Sequence, residues 1–268
     1  MALPLPADYH MHTPLCLHAT GEPEEYARRA IELGLPEMGM SDHSPMRQDN
    51  FDEWRMNFDK LAIYVDKVRR IQKDFPQLPI KMALEVDYFP NGEGWVRELA
   101  GMYPWDYFIG SVHYVSDDWA IDDPKKVSGW KNRDSYEVWR IYFDRLAAAA
   151  ESGLFQIIGH ADLPKKFGHK PPENAKPLYE KFLNAAKKSG CAVELNTAGL
   201  RKDCTEIYPS REILQLAFHA DVPITFGSDA HAPGEVGMNF AEAVALARSV
   251  GYTKACRFEQ RRRQIVPF

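Results

Sequence analysis

The sequence predicts a parallel α/β protein whose sheet closes, or nearly closes, into a barrel. Three observations carry that expectation. Short apolar runs alternate with helical patterns along the 268 residues, and strands alternating with helices imply a parallel sheet with right-handed crossovers. Seven such units over about 250 residues fit a barrel better than an open sheet with a second domain. Almost every run delivers a histidine or carboxylate at its C-terminal end, where parallel α/β barrels assemble their sites.

The apolar runs are Leu3–His10, Pro36–Asp42, Ile80–Asp87, Tyr107–His113, Phe155–His160, Ala192–Asn196 and Pro223–Asp229. They are rich in Val, Ile, Leu, Met or Phe, as strands buried on both faces are. Between them the spacing predicts helices. Glu22–Leu33 is the first. Leu61, Tyr64, Val65, Val68, Ile71 and Phe75 recur every three or four residues, as do Tyr136, Trp139, Tyr142, Phe143 and Leu146. Leu178, Phe182 and Ala186 mark another, closed by Gly190. Ser210 is placed to cap a helix through Ile213, Leu214 and Ala217, and Phe240–Val250 completes the set. The longest stretches without periodicity, 44–57 and 115–132, each follow a strand, the usual position of functional loops. Arg261–Arg263 reads as a solvated chain end. No linker breaks the pattern, so one domain is expected over 1–268.

Lys plus Arg is 33 against 38 Asp plus Glu, a net charge of −5. That lacks the basic footprint of a nucleic-acid binder. A hydrophobic fraction of 45% argues against disorder, and no apolar stretch approaches a membrane span. The opening Met-Ala-Leu-Pro-Leu-Pro-Ala-Asp has no basic n-region. Four cysteines without a Cys-x-x-Cys pair indicate neither a thiolate zinc site nor a redox motif. The expected setting is a reducing cytoplasm, with no membrane partner. Composition leaves the oligomeric state open.

Nine histidines are only moderately many, and their placement carries the argument. His10 and His12 end the first strand and His18 follows it. His43, His113, His160 and His231 end the second, fourth, fifth and seventh. Glu85 ends the third, and Asp229 stands just before His231. A lone histidine at a strand end is more often a hydrogen-bonded core residue than a ligand. His10-x-His12 is stronger, because alternation puts both rings on one face about 6.5–7 Å apart. So many polar groups in one mouth would cost stability without a common partner. Seven histidines with Glu85 and Asp229 are nine donors, generous for two ions and enough for three. Imidazole with carboxylate suits zinc, iron or manganese. His219 belongs to a helix end, and His169 to a loop at the rim.

His10-Met-His12, Ser41-Asp42-His43, Glu85-Val-Asp87, Gly110-Ser-Val-His113, Gly159-His160 and Gly227-Ser-Asp229-Ala-His231 follow one another in a familiar order. That order resembles the PHP superfamily (polymerase and histidinol phosphatase), metal-dependent phosphoesterases, from residue 8 to about residue 231. Asp42-His43-Ser44-Pro45, Gly159-His160-Ala-Asp162 and Leu195-Asn196-Thr-Ala-Gly199-Leu-Arg201-Lys202 look further like its histidinol-phosphatase branch. The resemblance implies a distorted (β/α)7 TIM-like barrel with a trinuclear centre. His10, His12, Asp229 and Glu85 would bind the first ion. Glu85 would bridge to a second, completed by His113 and His160. His18, His43 and His231 would hold the third.

Such a cluster suits hydrolysis of a phosphate monoester, because metals activate water, neutralise phosphate oxygens and align the reactants. The expected reaction is hydrolysis of L-histidinol phosphate to L-histidinol and phosphate, through in-line attack by a metal-bridging hydroxide held by ligands such as Asp229. The alternative is another small ester: a nucleotide, a sugar phosphate or phosphotyrosine. Arg201 is the best phosphate donor, since a guanidinium binds two oxygens at once. Lys202 and Lys165 follow, with Lys166 beside it. Asp42 either orients a ligand or protonates the leaving group, and the orienting role is favoured. An acidic, aromatic lid over 115–132 (Asp117, Asp118, Trp119, Asp122, Asp123, Trp130) would suit the substrate's amine. The rival is a solvated loop with tryptophan tucked into the wall. The 44–57 loop, with Arg47, Asp49, Asp52 and Trp54, competes for the same role. An amidohydrolase-like enzyme would add a lysine at a strand end, which is missing here. A metal-binding module without turnover would be expected to have lost ligands.

Overall fold

A computed structural model describes residues 5–116 and 118–268. Its centre is a curled parallel sheet of six strands. In chain order these are β1 (Met38–Met40), β2 (Ile80–Asp87), β3 (Tyr107–Ser111), β6 (Ile157–Ile158), β7 (Ala192–Asn196) and β8 (Ile224–Gly227). They lie side by side in that same order. The loop after β3 adds a small antiparallel pair, β4 (Tyr114–Ser116) and β5 (Trp119–Ala120).

Among the described residues seven α-helices pack outside: α1 (Pro23–Leu33), α2 (Leu61–Asp74), α3 (Glu93–Met102), α4 (Ser135–Glu151), α5 (Lys176–Ser189), α6 (Arg211–His219) and α7 (Phe240–Val250). Alternation along β2 sends Met82, Leu84 and Val86 outward to the layer that holds Tyr64, Val68 and Ile71 of α2. The other face contributes Ala83 to an inner cluster with Tyr9, Tyr107, Ile109, Ile157 and Ala192. Helix ends follow local chemistry. Glu22 and Glu25 form a capping box at α1, and Gly190 closes α5 at φ +76°. Ser210 sits at the N-cap of α6, but its hydroxyl makes no capping bond. Its N–H donates instead to Asp162 Oδ2 at 2.8 Å.

Two expectations are corrected. The first apolar run does not form a strand ladder. Residues Leu3 and Pro4 lie outside the described residues, and the remainder makes one isolated bridge, Asp8 to Met38, with a second just beyond it, Met11 to Ala230. Backbone bonds still run to both edges of the sheet, from Gly39 N–H to Asp8 O and from Tyr9 N–H to Phe226 O, but they are too irregular for a continuous ladder. The tail is no solvated end either. β9 (Lys254–Glu259) and β10 (Arg262–Pro267) form a hairpin, and Cys256 and Phe258 of β9 enter the inner cluster. Arg261 donates through Nη2 to Leu154 O at 2.6 Å and stacks over Phe108, whereas Arg262 and Arg263 are exposed. Among the described residues, no helix is long and apolar enough to cross a membrane.

Candidate metal centre

The C-terminal ends of the strands converge on Glu85, a buried carboxylate on β2. Its Oε2 lies 3.4 Å from His10 Nε2, 3.8 Å from His12 Nε2 and 2.8 Å from His43 Nδ1. Its Oε1 faces the other way, 2.9 Å from His160 Nε2 and 3.5 Å from His113 Nε2. Asp229 completes one side, with Oδ1 3.2 Å from His12 Nε2 and 3.7 Å from His10 Nε2. The His231 ring stacks on His12 at 4.0 Å between centroids, and His18 lies 4.5 Å from His231. All nine sequence-predicted donors therefore meet in one mouth.

Their ligand atoms gather in threes, each set within 4.8 Å: His10, His12 and Glu85; Glu85, His113 and His160; His12, His43 and His231. His231 also groups with His18 and Cys16. His18 and His43 thus share His231 rather than forming one triad with it. Cys16 carried no sequence signal, since the cysteines are far apart along the chain; the loop after His12 folds it back under the cluster. Burial, aided by Asp42, raises its thiol above the ordinary range.

Neighbouring groups aim four of the rings. His10 Nδ1 meets Glu194 Oε1 at 2.7 Å, His113 Nδ1 meets Asp87 Oδ1 at 2.9 Å, His18 Nδ1 meets Cys16 O at 2.9 Å and His231 Nδ1 meets Asp229 O at 3.0 Å. Fixing one nitrogen leaves the other for the mouth. Asn196 donates to both Glu194 and Asp229. Asp42 accepts from the Thr13 hydroxyl and from the His43 N–H, and lies 3.5 Å from His12 Nδ1. Packing is tight enough that a Cβ on Gly227 would sit 2.0 Å from Glu194 Oε1 and 2.7 Å from His10 Cβ. Glu194 was missed because a single carboxylate in an apolar run looks unremarkable. Alternation in Ala192–Asn196 placed it on the same face as Asn196 and was the available signal.

Electrostatics divides the cluster. Burial alone would raise Glu85, yet His43, His10 and His113 hold it well below the ordinary carboxylate range. Burial opposes charge on His113 too, but Asp87, Asp122 and Glu85 lift it to about 10. At His43, burial wins and the pKa falls to about 3. Burial and the imidazole of His12 likewise drive His231 well below its usual value. Crowded imidazoles cannot all carry protons. His10 Nε2 and His231 Nε2 are buried without a hydrogen-bond partner among the described residues. Buried ring nitrogens that face carboxylates and lack hydrogen-bond partners have the chemistry of a metal-ligand set.

The phosphate candidates part company. Arg201 Nη2 donates to Ser228 O at 2.8 Å and Nε lies 3.3 Å from Glu235, while Nη1 is buried with no partner among the described residues. Lys202 is exposed. The Lys165 ammonium is engaged by Asp162 at 3.0 Å, Glu206 at 2.8 Å and Ile207 O at 2.8 Å, which occupies its three protons. Lys166 pairs with Asp122.

In the 115–132 loop, Trp119 and Trp130 are buried edge to face in the wall, Asp123 caps a turn, and Asp117 lies outside the described residues. The roof comes from the other loop. Trp54 stands edge-on to His43 at 4.9 Å and to His113 at 5.1 Å. His169 stacks on Trp130 at 4.0 Å, and His219 ends α6.

Residues 8–198 match the PHP domain family model. The chain is 43% identical over 91% of its length to a Deinococcus radiodurans protein named "Probable histidinol-phosphatase", covering 93% of that protein. It is 27% identical to the histidinol-phosphatase of Bacillus subtilis, with 86% of this chain and 95% of that one aligned. Its fold is similar to a Lactococcus lactis histidinol phosphate phosphatase solved with zinc, L-histidinol and phosphate: TM-score 0.82, 20% identity, 96% of this chain and 98% of the other. A family match over most of the chain, on top of a histidine mouth at the expected strand ends, places this protein in the PHP domain family.

Proposed function

We propose that this chain is a metal-dependent phosphomonoesterase that hydrolyses L-histidinol phosphate. The observation that carries the proposal is the convergence of seven imidazoles on Glu85 and Asp229, with ring nitrogens buried and unpartnered. Similarity to proteins named histidinol-phosphatase supports the substrate. His10, His12, Asp229 and Glu85 would hold one ion, Glu85, His113 and His160 a second, and His43, His231 and His18 a third, each zinc, iron or manganese. Bound there, divalent cations would activate water and neutralise phosphate oxygens. In the same reading residues 8–12 are the seventh stave that closes the barrel.

The chain's own residues have separable tasks. Glu194 and Asp87 hold His10 and His113 in the tautomer that turns Nε2 inward. Asp42 is read as an orienting group, because its oxygens already accept from Thr13 and the His43 amide. Arg201 is the phosphate donor, with Nη1 unspent. Trp54, lying between Arg55 and Tyr114, excludes water over His43 and His113.

The test is phosphate release from L-histidinol phosphate against nucleotides, sugar phosphates and an aryl phosphate, alongside metal content. A preference of roughly a thousandfold in kcat/KM would mark built recognition of the amino alcohol. A flat profile would remove the substrate, and a metal-loaded protein inert on every ester would remove the phosphatase.

A further inference from the structure

Arg55 has no task in the reading above, although it is buried beside the mouth. It belongs to the 44–57 loop, not to a strand end. Its Nη2 donates to Asp87 Oδ2 at 2.7 Å, its Nε to Asp52 Oδ2 at 2.8 Å and its Nη1 to Ser44 O at 3.4 Å. The guanidinium plane lies over the Trp54 ring, 4.2 Å from its centroid. Asp87 uses its second oxygen, Oδ1, for the His113 ring at 2.9 Å and the His113 amide at 3.2 Å. Tyr114 closes the arrangement from the far side, donating to Asp52 Oδ2 at 2.9 Å and stacking on Trp54.

A carboxylate with one oxygen free could swing, and the imidazole it holds would swing with it. Here both oxygens of Asp87 are taken, one by Arg55 and one by His113. Arg55 is in turn fixed by Asp52 and pressed against Trp54. The fork geometry of a guanidinium suits this task, since one group reaches two carboxylates in fixed directions. Trp54, the ring over the mouth, and His113, a donor within it, are therefore joined through two buried side chains.

We propose that Arg55 is a positioning residue that locks the roof loop 44–57 to His113 through Asp87, so that metal binding and closure of Trp54 over the mouth are one coupled event. The inference rests on the reading of His113 as a metal ligand. Coupling of this kind is reciprocal. Loss of Arg55 should weaken metal binding, and loss of metal should loosen 44–57.

The experiment compares wild type with Arg55→Gln, Arg55→Lys and His113→Ala. Zinc affinity is read by competition with a chromophoric chelator, and amide exchange across 44–57 is read with and without zinc. For Arg55→Gln the expected result is a ten- to hundredfold loss at one zinc step, the usual scale for a group that orients a ligand. Exchange in 44–57 should rise, and zinc should no longer suppress it. Arg55→Lys should fall between, because an ammonium keeps the charge and loses the fork. Wild-type zinc affinity and exchange in Arg55→Gln would overturn the proposal. If that variant does not fold, wild-type behaviour of Arg55→Lys in both readouts would overturn it instead. His113→Ala separates the two levels: full zinc content there would sink the ligand reading itself, whereas loss there beside an unaffected Arg55→Gln would sink only the coupling.

Discussion

Glu194 serves two strand ends at once. Its Oε1 meets His10 Nδ1 at 2.7 Å, and its Oε2 accepts the backbone N–H of His160 at 2.9 Å. One carboxylate on β7 thereby sets the direction of a ring on the first segment and the path of the chain after β6. Glu194→Gln keeps the volume but cannot offer acceptors to both. The expected outcome is a roughly ten- to hundredfold loss of zinc affinity with the fold intact. A zinc titration matching wild type would remove Glu194 from the site.

Arg201→Ala tests the phosphate donor. A hydrogen bond to a charged group contributes about 1.5–3 kcal/mol, so kcat/KM on L-histidinol phosphate should fall roughly ten- to a hundredfold. Metal content, read by elemental analysis, should stay unchanged. Loss of metal together with rate would assign Arg201 to holding the Ser228–Asp229 turn instead.

Lys165→Met should behave in the opposite way. Removing the cation leaves Asp162 buried beside Glu206 with no counter-charge, a loss of about 3–5 kcal/mol when a buried pair is broken. Denaturant unfolding should show that loss, while KM of the folded protein stays at the wild-type value. A raised KM would return Lys165 to the list of phosphate contacts.

Phe258→Ala probes the floor of the inner cluster, where the ring packs edge-on against Tyr9 at 5.4 Å. Large-to-small changes at such positions cost about 3–5 kcal/mol. A clear fall in Tm is expected, with kcat of the remaining folded protein unchanged. An unaltered Tm would mean that β9 contributes little to the core.

Chelation should destabilise the whole molecule. A ligand held a thousandfold above its Kd stabilises by about 4 kcal/mol per site, so a strong chelator should lower Tm and added zinc should restore it. Equal Tm with and without chelator would contradict a metal centre.

Much of this was legible in the sequence, for identifiable reasons. Ile80–Asp87 and Ala192–Asn196 were read to the residue, because turn-forming segments bound each apolar run. The strand-end histidines showed as a pattern because each follows its run directly. Helix α3 escaped: it contains Gly94 and Gly101 and buries only Val96 and Leu99, which leaves almost no periodicity. The β9–β10 hairpin escaped too. Gln260 and Arg261 turn the chain at φ +47° and +62° without the Asn-Gly or Asp-Gly signal such turns usually carry. Glu194 reaches His10 and Arg55 reaches Asp87 through contacts distant in sequence; alternation puts Glu194 on the face of Asn196 but does not record those partners.

The segment that carries His10 and His12 bonds at Tyr9 N–H to Phe226 O and at His12 N–H to Ala230 O, with Ala230 N–H returning to His10 O. These partners are more than two hundred positions downstream, while those on the β1 side, Glu37, Gly39 and Ser41, are only about thirty away. During synthesis the β1 side of this segment can form early, whereas the contacts of His10 and His12 with the 226–230 stretch must wait until that stretch has left the ribosome. Contacts of such long sequence separation form late, and domains emerge from their N-terminal side. The side of the mouth built around Asp229 is therefore among the last parts of the fold to be completed.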